Sequence, residues 1–180
     1  MYNFQKILFI IFIPILLTAC QQQEQQTSQT KNLNMKITST AFEHNQNIPA
    51  KYTCDGENVN PPLTILDVPE NTQSLVLISD DPDAPSGDWV HWLIWNINPQ
   101  TKEIAENSIP QNSVQGTTSF GKSSYGGPCP PSGTHRYFFK IFALDIKIKL
   151  DSEAQKSQLE AAIKNHILAS AELIGLYSRQ

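Results

Sequence analysis

Two stretches of this chain carry side chains that could do chemistry: DDPDAPSGDWVHW, residues 80–92, and GKSSYGGPCPPSGTHRYFF, residues 121–139. In the first, Pro82 and Pro85 fix φ and push the residues before them out of the helical region. The backbone therefore leaves its strand along one stiff path, and that path aims Asp81 and Asp83. His91 follows in an aromatic strand beside Trp89 and Trp92. Taken singly, such aspartates cap turns and such a histidine is a satisfied core residue. In the second stretch, a strand places His135 and Tyr137 on one face and Arg136 on the other. An imidazole and a phenol side by side can donate hydrogen bonds without a full positive charge. Gly126 and Gly127 leave backbone N–H groups uncovered, and concave runs of such groups bind anions. Together they outline a small rigid pocket for an oxyanion such as phosphate. A Gly/Pro turn that binds nothing is the alternative for this segment alone.

Asp81, Asp83, His91 and His135 could also be read as a metal site for phosphoester hydrolysis, or as an acid–base pair. The chain holds no HExxH, no GxSxG and no CxxC, and its two motif histidines have no second metal-ligand pair. The expectation is therefore a binding protein with no catalytic residues, no metal and no cofactor. Aspartates beside an anion make sense if they orient His91 and His135, or meet a ligand's ammonium as in phosphoethanolamine.

These residues need strands to hold them. SLVLISD, WVHWLIWNI and RYFFKIFALD are apolar runs of strand length, and MKITSTAF alternates. Turn formers separate them: Cys54–Asn58, Pro61-Pro62, Asp81–Pro85 and the Gly/Pro loop. Many short strands with Pro-rich connections predict an antiparallel β-sandwich or barrel. One helix is expected late, with Ser152 and Gln155 as a capping box and Leu159, Ala162 and Ile163 as its apolar face, ending near His166. The tail LASAELIGLYS reads as a last strand.

At 180 residues and 39% hydrophobic, the chain can bury one good core. Its start reads as an address. Lys6 precedes the apolar run Ile7–Leu17, too short to span a bilayer, and the run ends Leu17-Thr18-Ala19-Cys20. Small residues before a cysteine resemble a bacterial lipobox. Residues 1–19 are expected to be a signal peptide, Cys20 the lipidation site, and residues 20–35, rich in Gln, a tether. Gln21 lacks the Asp of an inner-membrane retention signal. The expected location is thus the cell envelope, on the periplasmic side of the outer membrane where the source has two membranes. Loss of residues 1–19 leaves 12 basic against 17 acidic residues, with Arg136 and Arg179 the only arginines, so nucleic acid is not an expected partner. Cys54 and Cys129 remain, either as two buried thiols or, after export, as a disulfide.

The pattern D-P-D-A-P then H-W, followed by Y-G-G-P-x-P-P-x-G-x-H-R-Y, resembles the phosphatidylethanolamine-binding protein family, most closely its bacterial Raf kinase inhibitor-like branch. The resemblance covers residues 36–180, the expected folded domain, and includes YTCDGENVNPPL. It implies a mainly β fold, a sandwich of two antiparallel sheets with a C-terminal helix, and a small anion-binding cavity at one end. By motif match it carries over Asp81, Asp83, Pro85 and His91 from the first stretch, and Gly127, Pro131, His135 and Tyr137 from the second. Relative to the animal members, Cys129 interrupts the Gly-Pro-Pro segment and the spacer from Pro131 to His135 is short. Cys54 and Cys129 lie in loops flanking these motifs, so a disulfide is expected at the mouth of the cavity. The ligand would be a phosphate-containing small molecule or a phospholipid headgroup, with the membrane reached through lipid on Cys20. A protein-interaction role such as peptidase inhibition, also found in the family, is the alternative, and phosphoester hydrolysis a further one.

Overall fold

The apolar runs become strands, in the order β1 (Lys36–Thr38), β2 (Gln46–Asn47), β3 (Leu63–Leu66), β4 (Ser74–Asp81) and β5 (Trp89–Ile97). There follow β6 (Glu103–Ile104), β7 (Val114–Gln115), β8 (His135–Leu144), the helix α1 (Lys156–Ile163) and β9 (Ile167–Tyr177). The computed structural model describes Met1 and residues 34–179. The expected signal peptide, the lipidation site Cys20 and all but the end of the tether lie outside the described residues.

Strands β1, β3 and β6 form one sheet, and the other has the order β2-β9-β8-β4-β5-β7. Among the described residues the fold is mainly β, as expected, with two sheets and no closed barrel. One pair departs from the antiparallel expectation: β2 runs parallel to β9. Residues 45–48 lie along that strand, held by Asn45 N–H to Ile174 O (2.7 Å) and Ile48 N–H to Leu176 O (2.8 Å).

Every residue of β4 is buried, because it is central in its sheet and both of its faces are covered. Leu75 and Leu77 point into the layer between the sheets, with Trp92, Ile94, Tyr137, Phe139 and Ile141. Val76 and Ile78 point the other way, against Leu93, Trp95 and the α1 residues Leu159 and Ile163. The alternation continues to the end of the strand, so that Asp80 and Asp81 leave on opposite faces. That parity decides their roles: Asp81 faces the cavity, Asp80 the helix.

The helix starts later than the sequence predicts. Gln155, not Ser152, is the N-cap, and its side chain and that of Gln158 form the capping box. Asp151 claims the preceding residues for a turn, accepting the Glu153 N–H on its Oδ1 (3.0 Å) and the Ala154 N–H on its carbonyl (3.2 Å). Leu159 and Ile163 are buried as expected, and the tail is a strand.

Candidate functional site

A cavity of about 430 Å³ opens where the ends of β4, β5 and β8 meet. Its lining includes Asp81, Pro85, His91, Pro131, His135 and Tyr137, so the structure brings six of the eight expected positions together. Cys129 also reaches it, while Trp89 and Phe120 form an apolar wall with their rings edge-on, 5.4 Å between centroids. A groove of about 440 Å³ between β1 and β9 and a cleft of about 650 Å³ near Asn96 and Asn112 have only exposed ionisable side chains.

Asp81 is nearly buried and both of its oxygens are committed. Oδ2 accepts from His135 Nδ1 at 2.7 Å, and Oδ1 accepts the Asp83 N–H at 2.9 Å. His91 Nδ1 lies 2.6 Å from the Gly126 carbonyl. A carbonyl only accepts, as does a carboxylate, so both Nδ1 atoms carry hydrogen, and in the neutral form of either ring the lone pair is on Nε2. Burial pushes His91 below its ordinary value, against the pull of Gly126 O and the Asp81 and Asp80 carboxylates.

Tyr137 packs between the two histidines, 5.2 Å from His91 and nearly perpendicular to it, and 6.4 Å from His135 and nearly parallel. Its hydroxyl is buried and makes no hydrogen bond of good geometry, although the Asp81 carboxylate and the Cys129 backbone N–H are close enough to act on it. Burial first, and then Asp81, push this phenol well above its ordinary value, so it stays protonated. A buried hydroxyl without a partner is rare in a folded protein and calls for an explanation.

Two expected positions play other parts. Asp83 is outside the cavity lining and is gripped by Arg136: Nε to Oδ2 at 2.9 Å, Nη2 to Oδ1 at 2.7 Å, and the Arg136 N–H to Oδ2 at 3.0 Å. Its carboxylate is therefore spent on that fork and is not free for a ligand's ammonium. Gly127 is also outside the lining. The backbone cradle expected from the glycines is corrected by the hydrogen bonds: the Gly126 N–H goes to His91 O (3.0 Å) and the Gly127 N–H to Asn58 Oδ1 (2.7 Å). Glycine is needed here for close approach. A Cβ on Gly126 would stand 2.4 Å from Phe120 Cε2, and one on Gly127 2.5 Å from Tyr52 O.

The Asp83–Arg136 fork has a measurable pH signature. Hydrogen bonds from Arg136 lower Asp83 from 3.8 to about 2. Because the folded value is the lower one, the pair stabilises the protein above the unfolded value, and this contribution fades as pH falls from 3.8 to about 2. Arg136 is half exposed, so solvent screening keeps the contribution small. In Arg136→Ala, Asp83 should return toward its ordinary value by NMR titration. The variant should be slightly less stable than wild type at neutral pH and equally stable at the acid end of that window. An unmoved Asp83 would show that the fork does not hold it.

Sequence reading missed Phe120 and Asn58. Phe120 sits in a loop with no periodicity, and only its folded contacts with Trp89, His91 and Gly126 reveal its place. Asn58 carried a signal: in a Gly-Glu-Asn turn it adopts left-handed φ of 58°, which suits Asn. Cys54 and Cys129 are joined, with Cα atoms 5.4 Å apart, and this disulfide does stand at the cavity's edge.

Residues 38–178 match a family model described as phosphatidylethanolamine-binding protein. A UPF0098 protein of Methanothermobacter thermautotrophicus is 48% identical over 150 residues, covering 81% of this chain and 99% of that one. Another, from Archaeoglobus fulgidus, is 46% identical over 95% of this chain, which spans only 58% of that relative's length. Among solved structures, a phosphatidylethanolamine-binding protein homologue of Chlamydia trachomatis superposes with a TM-score of 0.78 at 41% identity, over 81% of this chain and 98% of its own. YbcL of E. coli, described as a member of the mammalian family, superposes at 0.77 with 30% identity, over 81% of this chain and 99% of its own. With its fold, motif residues and relatives in agreement, the chain belongs to the phosphatidylethanolamine-binding protein family.

Proposed function

We propose that this protein binds, without turning over, a phosphate-type oxyanion in the cavity between His91, His135 and Tyr137. The observation that carries the reading is the buried Tyr137 hydroxyl, which has no hydrogen-bond partner and belongs to a residue lining the cavity. A ligand oxygen would satisfy it. The cavity is several times larger than a phosphate ion, so its apolar wall of Trp89 and Phe120 would receive whatever organic group the phosphate carries. Asp81 acts by holding His135 in one tautomer and orientation.

The test uses the difference between free and bound states. Because the hydroxyl is unpaired in the free protein, Tyr137→Phe should leave stability unchanged or raise it slightly. The same change should weaken phosphate or phosphoethanolamine binding by about 1–3 kcal/mol, read by calorimetry and by a smaller ligand-induced rise in melting temperature. Equal protection of wild type and variant would place the anion elsewhere.

One observation favours a hydrolase as second reading: the Asp81–His135 pair resembles an oriented general base with Nε2 free. Release of inorganic phosphate from phosphoesters by wild type, lost in His135→Ala, would establish that reading in place of binding alone. Among the described residues no group of three or more His, Cys, Asp or Glu is placed to hold a metal ion.

A further inference from the structure

The two halves of the Cys54–Cys129 bond have different surroundings. Both residues are exposed, but Cys129 lines the cavity and Cys54 does not. A thiolate opens a disulfide by attacking one sulfur and displacing the other, and access decides which sulfur is attacked. A nucleophile standing in the cavity reaches Cys129 before Cys54. The same space offers the two other things such an attack needs. Trp89 and Phe120 form an apolar wall, with 5.4 Å between ring centroids, against which an apolar thiol would gather at high local concentration. His91 and His135 also line the cavity, and in the neutral form either ring has a lone pair at Nε2 that can take a thiol's proton. Asp81 fixes the His135 ring for this, accepting from Nδ1 at 2.7 Å.

We infer that Cys129 is a site of reversible covalent modification, at which a small thiol with an apolar body enters the cavity and forms a mixed disulfide. This holds whether or not the cavity also binds an oxyanion. Nε2 of His135 or His91 takes the proton of the thiol, R–SH. The thiolate's electron pair makes a new S–S bond to the Cys129 sulfur. The old S–S bond breaks, and its electron pair leaves with the Cys54 sulfur, which is then protonated by the imidazolium or by water. One disulfide replaces another and one thiol replaces another, so no reactant besides R–SH is consumed. The displaced sulfur does not travel far. Cys54 N–H donates to Pro128 O (3.1 Å) and Gly127 N–H to Asn58 Oδ1 (2.7 Å), which keeps the two loops together without the covalent bond. Cys54 therefore stays beside the adduct and can expel the thiol again. While the adduct lasts, its R group fills space that any other ligand of the cavity would need.

The test takes the oxidised full-length protein, with any Cys20 thiol first blocked by N-ethylmaleimide, and adds 2-phenylethanethiol or 2-mercaptoethanol. At early times the newly freed cysteine is capped with fresh, isotope-labelled N-ethylmaleimide, and peptide mass spectrometry locates the added thiol. With 2-phenylethanethiol the adduct should stand on Cys129 at least about tenfold more often than on Cys54, because the cavity leads to that sulfur. Compared per thiolate, 2-phenylethanethiol should react at least about tenfold faster than 2-mercaptoethanol, since only the former gathers on the apolar wall. Phe120→Ala should bring the ratio of the two rates to within about threefold. Phe120 is 41% exposed, so its truncation is compatible with folding, and the position of the adduct in wild type decides the matter even without that variant. Adducts on Cys54, or shared evenly as in attack on an unfolded chain, overturn the inference. So does a bond that neither thiol opens. A rate ratio near one in wild type, or a high ratio that survives Phe120→Ala, overturns the assignment of an apolar thiol to this wall.

Discussion

Removing the Cys54–Cys129 disulfide should lower the unfolding free energy by about 4 kcal/mol. The bond closes a loop of 75 residues, so it removes many conformations from the unfolded chain and few from the folded one. The folded geometry has other supports at the same place. Cys54 N–H donates to Pro128 O (3.1 Å), Gly127 N–H to Asn58 Oδ1 (2.7 Å) and the Tyr125 hydroxyl to Tyr52 O (2.8 Å). A Cys54→Ala/Cys129→Ala protein should therefore keep its fold and unfold at much lower urea, and reductant should shift wild type by a similar amount. A loss under about 1 kcal/mol would show that the hydrogen bonds alone restrain the loop, or that the reduced unfolded chain retains structure. Cys129 borders the cavity, so ligand affinity should fall too, but far less than stability, because those hydrogen bonds still hold the loop.

How much of this was legible depended on how local the determinant was. Apolar runs of eight to ten residues made β4, β5 and β8 readable, because a central strand covered on both faces must be apolar throughout. Period-two alternation placed His135 and Tyr137 together and Arg136 opposite, and the burial along β8 follows it. Composition could not show what the glycines are for. An uncovered N–H and a missing Cβ look the same in sequence, and only the nearby Phe120, with Tyr52 and Asn58 from far along the chain, shows that close approach is the need. The histidine tautomers were illegible for a related reason. They depend on which atom faces Nδ1, and Gly126 O is 35 residues from His91. The Nδ1–H groups that the sequence offered as free donors are thus already committed, to Gly126 O and to Asp81. The late helix start is a smaller instance, in which Asp151 and Gln155 compete for the same N-terminus and Asp151's turn displaces Ser152 from the cap.

Asp80→Ala should be among the most destabilising single changes in this chain, costing about 3–5 kcal/mol. Its side chain is fully buried on the helix side of β4 and meets two ammonium groups: Lys140 Nζ at 2.8 and 2.9 Å, and Lys156 Nζ at 2.5 Å. Lys156 also contacts Asp88, just before β5. Burial works against the Lys156 charge, but these carboxylates outweigh it and raise the group above its ordinary value. Truncating Asp80 takes its carboxylate from Lys140 and leaves Lys156 only the more exposed Asp88 and Glu160. Lys140, 30% exposed, can swing toward water past Phe138, whereas Lys156 is 15% exposed and has less freedom to do so. Most of the penalty should come from Lys156. The paired change Asp80→Leu/Lys156→Leu should accordingly recover much of the loss, since an apolar pair has no charge to desolvate. Urea denaturation of both single variants and the pair gives the coupling energy directly. The same variants test a link to the cavity. Lys156 joins α1 to Asp88 at the end of the segment that carries Pro85, so Asp80→Ala should also weaken oxyanion binding although Asp80 never touches the ligand space. A cost below about 1 kcal/mol would mean that both lysines reach water and the network is ornamental to stability. A full cost with unchanged binding would separate the two roles, leaving Pro82 and Pro85 alone to fix the cavity rim.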